Sequence, residues 1–152
     1  SELTYRNQCL ILSGPSKSGK STQTRLFCET YPKTMVINED KPLIYIKDGQ
    51  AYVVGSPWSG KHVINENISR KLNEIFFIEQ SDKLDIIELT KKQKIKSIFR
   101  NIHRPGEESL VDKMMLLVEE IIDKTSIYQF NTVLSQESSK YLYQFLEEKN
   151  EN

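Results

Sequence analysis

No apolar run in this 152-residue chain approaches the roughly 20 residues that a bilayer-crossing helix needs. Its start lacks the charged segment and apolar core of a secretory leader. Cysteine is scarce. Cys9 and Cys28 make no disulfide framework and read as small packed thiols in a reducing compartment. Histidine is equally sparse, and His62 and His103 stand apart with no Cys/His spacing suited to a metal. An excess of either charge is also missing: 21 Lys and Arg balance 21 Asp and Glu, so no overall field draws the chain to nucleic acid or an anionic membrane. The local basic run Lys91-Lys92-Gln93-Lys94-Ile95-Lys96 reads as a solvated helix face. Internal repeats and low-complexity linkers are absent, so residues 1–152 are expected to form one domain with its own core. These absences together predict a cytoplasmic protein that meets neither membrane nor nucleic acid. Because the chain opens on Ser1 rather than methionine, a further N-terminal region is an expectation.

What the chain does have is Gly14-Pro15-Ser16-Lys17-Ser18-Gly19-Lys20-Ser21, which fits the phosphate-binding loop pattern G-x-x-x-x-G-K-[ST] at each fixed position. Glycines at both ends let the backbone turn tightly, so that successive N–H groups face phosphate oxygens. Lys20 supplies an ammonium for the β- and γ-phosphates, and the Ser21 hydroxyl suits a magnesium shell. The flanks agree with this reading. Gln8-Cys9-Leu10-Ile11-Leu12-Ser13 is apolar enough for a buried strand. Ser21-Thr22-Gln23-Thr24-Arg25-Leu26-Phe27-Cys28 suits the first turns of a helix whose positive end faces the ligand. Binding of ATP with Mg2+ by residues 14–22, Thr22 included, is the expectation.

Downstream, Tyr31-Pro32-Lys33 stops the helix, and Met35-Val36-Ile37-Asn38 reads as a short strand ending in Glu39-Asp40. Two β-rich runs, Leu43 to Lys47 and Ala51 to Val54, flank Asp48-Gly49, a hairpin signal. Leu72 to Ile78 and Leu84 to Leu89 look like further strands. Thr90 can cap a helix to about Ile102, with Ile95, Ile98, Phe99 and Ile102 on one face. A helix over about 107–124 is expected to bury Leu110, Met114, Leu117, Val118 and Ile121, with Met114-Met115 in its core. A strand from Ile127 to Leu134 then precedes a final helix from about Gln136 that frays into Glu147-Glu148-Lys149. Several consecutive strands between helices predict an α/β fold with a mixed, partly antiparallel sheet and C-terminal helices, not a doubly wound one.

Three other places carry chemistry. A βαβ-like start would bring Glu39 and Asp40 near the phosphates, where carboxylates bind magnesium or accept a proton from an attacking hydroxyl; a solvated turn is the alternative. Gly55-Ser56-Pro57-Trp58-Ser59-Gly60-Lys61 offers small residues, a lysine and an aromatic that either covers a ligand or plugs the core. Arg100, His103 and Arg104 sit where a helix ends, and serve either as a cationic clamp on the transferred phosphate or as partners of the helix C-terminus.

The ordered combination of residues 14–21, Asn38-Glu39-Asp40 with Leu43-Ile44-Tyr45-Ile46, the hairpin and the Gly55–Lys61 loop resembles the HPr kinase/phosphorylase-related P-loop proteins, distant relatives of phosphoenolpyruvate carboxykinase. The resemblance covers roughly residues 8–105. It implies an ATP-dependent kinase that phosphorylates a hydroxyl, a serine on a protein or peptide. Lys20 would then be a catalytic phosphate ligand, Ser21 a magnesium ligand, and Glu39 or Asp40 the base, with Asp40 also on the metal. Lys61 would be a phosphate or substrate contact, joining Trp58 and Arg100, which the residues themselves offer as substrate contacts. A glutamate opens the acid pair where the family commonly has two aspartates, Lys17 replaces a usual glycine, and no Arg-Gly signature follows, so HPr itself is not the expected acceptor. The family's rings make a homo-oligomer compatible with this reading. A small-molecule kinase and a non-catalytic nucleotide-binding regulatory module are the competing readings.

Overall fold

The computed structural model describes residues 2–5, 8–14, 19–31, 36–38, 43–54, 69–101, 108–133 and 135–151. In chain order the elements are β1 (Glu2–Tyr5), β2 (Gln8–Ser13), α1 (Lys20–Thr30), β3 (Val36–Asn38), β4 (Leu43–Lys47), β5 (Gln50–Val54), β6 (Ser69–Gln80) and β7 (Asp85–Glu88). They are followed by α2 (Lys91–Asn101), α3 (Glu108–Lys124), β8 (Ser126–Thr132) and α4 (Gln136–Glu151).

Three strands at the centre, β2, β6 and β8, run parallel. β2 over Cys9–Leu12 and β6 over Ile75–Ile78 are continuous apolar runs, as strands covered on both faces require, while β8 interleaves Ile127, Tyr128 and Phe130 with polar residues. Antiparallel strands complete the sheet: β1 beside β2, β3 beside β1, and β7 beside β8. The fold is therefore α/β with a mixed sheet and a C-terminal helix, as its element order predicts. β1 is an addition to the sequence reading, and it changes the geometry. It lies between β2 and β3, so the β2–α1–β3 unit is not a simple pair of neighbouring strands.

Alternation along the strands divides the core. One face carries Cys9, Ile11, Ile75, Phe77 and Ile127 against Ile98 of α2 and Val118, Ile121 and Ile122 of α3. The other carries Leu10, Leu12, Phe76, Ile78 and Phe130 against Phe27 of α1 and Leu142 and Leu146 of α4. Helices thus cover both faces. On the second face Tyr31 and Tyr143 stack at 3.9 Å between ring centres, fastening the end of α1 to α4.

β6 spans both parts of the sheet. Its first residues pair with β5 and the remainder with β2 and β8. Between them the register shifts, because Cys9 faces Leu72 while Leu10 faces Glu74. Asn73 is thus an extra residue, a bulge that lets Leu72 and Ile75 point into the same core despite their odd spacing. The β4–β5 hairpin turns on Asp48 (φ 51°) and Gly49 (φ 73°), the paired positive angles of a tight two-residue loop.

At α2, Thr90 N–H donates to Gln93 Oε1 (2.9 Å) and Gln93 N–H to Thr90 Oγ1 (3.3 Å), a reciprocal capping box at the predicted start. α3 departs from expectation. Its buried stripe is Val118, Ile121 and Ile122 with Met114 partly packed, whereas Leu110, Leu117 and Met115 are exposed. These three lie at the margins of that stripe on the helical wheel. α4 likewise does not fray at Glu147. It stays helical to Glu151, because Leu146 is buried and Lys149 Nζ bonds Glu74 Oε1 at 3.2 Å.

Candidate phosphate-binding site

The carboxyl ends of β2, β6 and β8 share one edge of the sheet, where open α/β sheets commonly receive ligands. β2 reaches that edge at Ser13, and the half-buried Gly14 follows. Gly19, before α1, has a φ of 92°, in the left-handed region that only glycine adopts without strain. Lys20 is the first helical residue, and Gln23 N–H closes the first turn on Gly19 O at 2.9 Å. Among the described residues no side chain caps α1, and its first turn holds no acid. Among the described residues of α1, no side chain compensates the positive end of the helix dipole. Lys20 and Thr22 are half-buried and Ser21 is exposed, while Thr24 turns inward and donates to Lys20 O at 2.7 Å.

A second group at this edge escaped the sequence reading. β6 pairs directly with β2 and ends Ile75-Phe76-Phe77-Ile78-Glu79-Gln80. Phe77 lies opposite Ser13, so Glu79 stands two residues beyond the end of β2, exposed, on the neighbouring strand. The signal was present: four apolar residues followed by an acid, on a strand parallel to the glycine-bracketed one. Pairing order was the missing information.

The third component is the β8–α4 corner. Val133 O accepts from Gln23 Nε2 of α1 (2.9 Å), from Ser135 N–H (2.9 Å), and from Ser138 Oγ. Val133 N–H donates to the same hydroxyl at 3.1 Å. Ser135 caps α4 by accepting from Glu137 N–H at 3.3 Å. Gln23 is 2 % exposed.

Pro15, Ser16, Lys17 and Ser18 lie outside the described residues, as do Glu39, Asp40, Trp58 and Lys61. Their anchors are informative. β3 ends at Asn38 and runs in the direction of β2, but β1 separates the two strands, a gap of about 10 Å. Val54 and Ser69, which bracket the segment containing Trp58 and Lys61, pair with each other at the opposite end of β6, roughly 25 Å from the level of Ser13. Arg100 is exposed in the last turn of α2, in the helical layer on the face opposite α1. Among the described residues no group of three or more His, Cys, Asp or Glu gathers at a metal-sized site, and no helix is long and apolar enough to cross a membrane. Comparison with protein families, curated proteins and solved structures returned no match.

Proposed function

We propose that the chain is a nucleotide-binding P-loop protein that uses magnesium ATP to phosphorylate a hydroxyl group, a serine on a protein or peptide. One observation carries the nucleotide part. A glycine-bracketed segment leaves the central parallel strand β2 and enters α1 through a left-handed Gly19, with Lys20 opening the helix at the ligand-receiving edge. The first-turn N–H groups of α1, its dipole and Lys20 thus lie at that edge, which is the chemistry a polyphosphate needs. The donor set also suits magnesium, which is held through one or two carboxylates plus substrate phosphates rather than by an all-protein cage. The Ser21 hydroxyl and the Glu79 carboxylate would supply the protein's share. Transfer to a hydroxyl acceptor rests on the resemblance to HPr kinase-related proteins.

The position of Glu79 supports a second reading, in which water receives the phosphoryl group. A carboxylate one strand from β2 suits orientation of a small nucleophile, while Glu39 and Asp40 follow a strand two places away. ADP formation that depends on an added acceptor separates the two.

Calorimetric titration of ATP, with and without magnesium, into the wild-type protein and Lys20→Ala tests the common core. Magnesium-dependent binding to the wild type, lost in a folded Lys20→Ala, is the expected result. Absence of binding to the folded wild type overturns the proposal.

A further inference from the structure

We infer that Gln23 is a positioning residue that links occupancy of the phosphate site to the β8–α4 corner, so that a ligand ordering the first turn of α1 also orders the start of α4. The inference rests on the nucleotide reading above. Gln23 is an uncharged amide almost wholly removed from solvent, in the turn of α1 that Lys20 opens. Its Nε2 spans 110 positions of sequence to reach Val133 O, the acceptor that α4 also grips through Ser138. One carbonyl is therefore shared by three donors, from α1, from the connecting turn and from α4. A carbonyl has two lone pairs, so displacement of any one donor changes the other two. Buried amides find partners at a cost if left unpaired, so Gln23 cannot release Val133 without a new partner.

Phe27, Tyr31, Tyr143 and Leu146 also pack α1 against α4, and ring and side-chain packing of this kind tolerates small slides. The Gln23 bond is directional and does not. It therefore transmits where the first turn of α1 stands. The chemistry linked to it is a nucleoside triphosphate at Gly19–Ser21 on one side and the position of a 16-residue C-terminal helix on the other. A ligand that rigidifies one end of a hydrogen-bonded unit lowers the ordering cost at the other, without a change of fold.

Hydrogen exchange on the full chain, with and without magnesium ATP, tests this. In the wild type, ATP is expected to slow the amides of Lys20–Gln23 and, by about three- to tenfold, those of Ser135–Lys140. In Gln23→Met, which keeps length and helix preference but removes the donor, the α1 amides are still slowed and the corner amides are not. Corner amides slowed equally in Gln23→Met overturn the inference. Wild-type protein in which ATP slows α1 but not the corner also overturns it, even if the variant does not fold. ATP that slows no amide in the wild type removes the nucleotide reading itself, and the inference with it.

Discussion

Under the proposed nucleotide reading Glu79 and Asp40 are rivals for one role, and single substitutions decide between them. With β1 interposed, the strand before Asp40 is two spacings from β2, while Glu79 is on the adjoining strand. Glu79→Gln is therefore expected to lower ATP turnover roughly 100-fold or more, with Asp40→Asn the milder change; steady-state ADP release measures both. The opposite ranking would return the acid role to the β3 end. Glu74 poses a different problem. Its side chain is buried on β6, Oε1 bonds Lys149, and Oε2 has no hydrogen-bond partner among the described residues. Burial raises its carboxyl above the ordinary glutamate range, with Lys149 opposing through charge and hydrogen bond. A raised folded-state value means that the protonated form is the better fit. The stabilisation it gives is complete at acid pH below the unfolded value and is lost as pH climbs through the folded one. Glu74→Gln should flatten the stability profile in that window and cost little at neutral pH. Lys149→Met should lower neutral-pH stability by up to about 3 kcal/mol, because it strands a buried carboxylate. Urea midpoints across pH distinguish these outcomes.

Most elements were legible because each announces itself locally. Thr90 and Gln93 build the cap that their spacing predicts, and Asp48-Gly49 make the turn their positive φ angles require. Gly49→Ala tests the latter. A Cβ there meets nothing within 4 Å, so the cost is conformational alone, about 1 kcal/mol by thermal melting. The partnerships of elements were not legible. β1 is four residues long and carries no signal that it should slip between β2 and β3. Leu110 and Leu117 fit a helical stripe, yet which part of a stripe meets the sheet depends on how far the sheet extends under α3. For the same reason Glu79 passed as the tail of an apolar strand, and Gln23 as one polar residue in a polar turn. Each gains meaning from a neighbour about 70 to 110 positions away, Ser13's strand for the first and Val133 for the second.

At the scale of the molecule, the two halves of the core depend unequally on the chain's end. α4 alone supplies Leu142 and Leu146, both 1 % exposed, to the face that also holds α1. Their loss removes roughly 3–6 kcal/mol of apolar burial, against a total stability of roughly 5–15 kcal/mol for a domain. A chain truncated before Ser135 is therefore expected to lose cooperative unfolding by circular dichroism, whereas retention of a sharp transition would show that the α2–α3 face is self-sufficient. The bulge at Asn73 has a consequence of another kind. Upstream of it, even-numbered residues of β6 face α2 and α3; downstream, odd-numbered ones do. The hairpin and the parallel strands are thus written in opposite reading frames of side-chain alternation. Deleting this one half-buried residue would turn every side chain before it to the wrong side of the sheet.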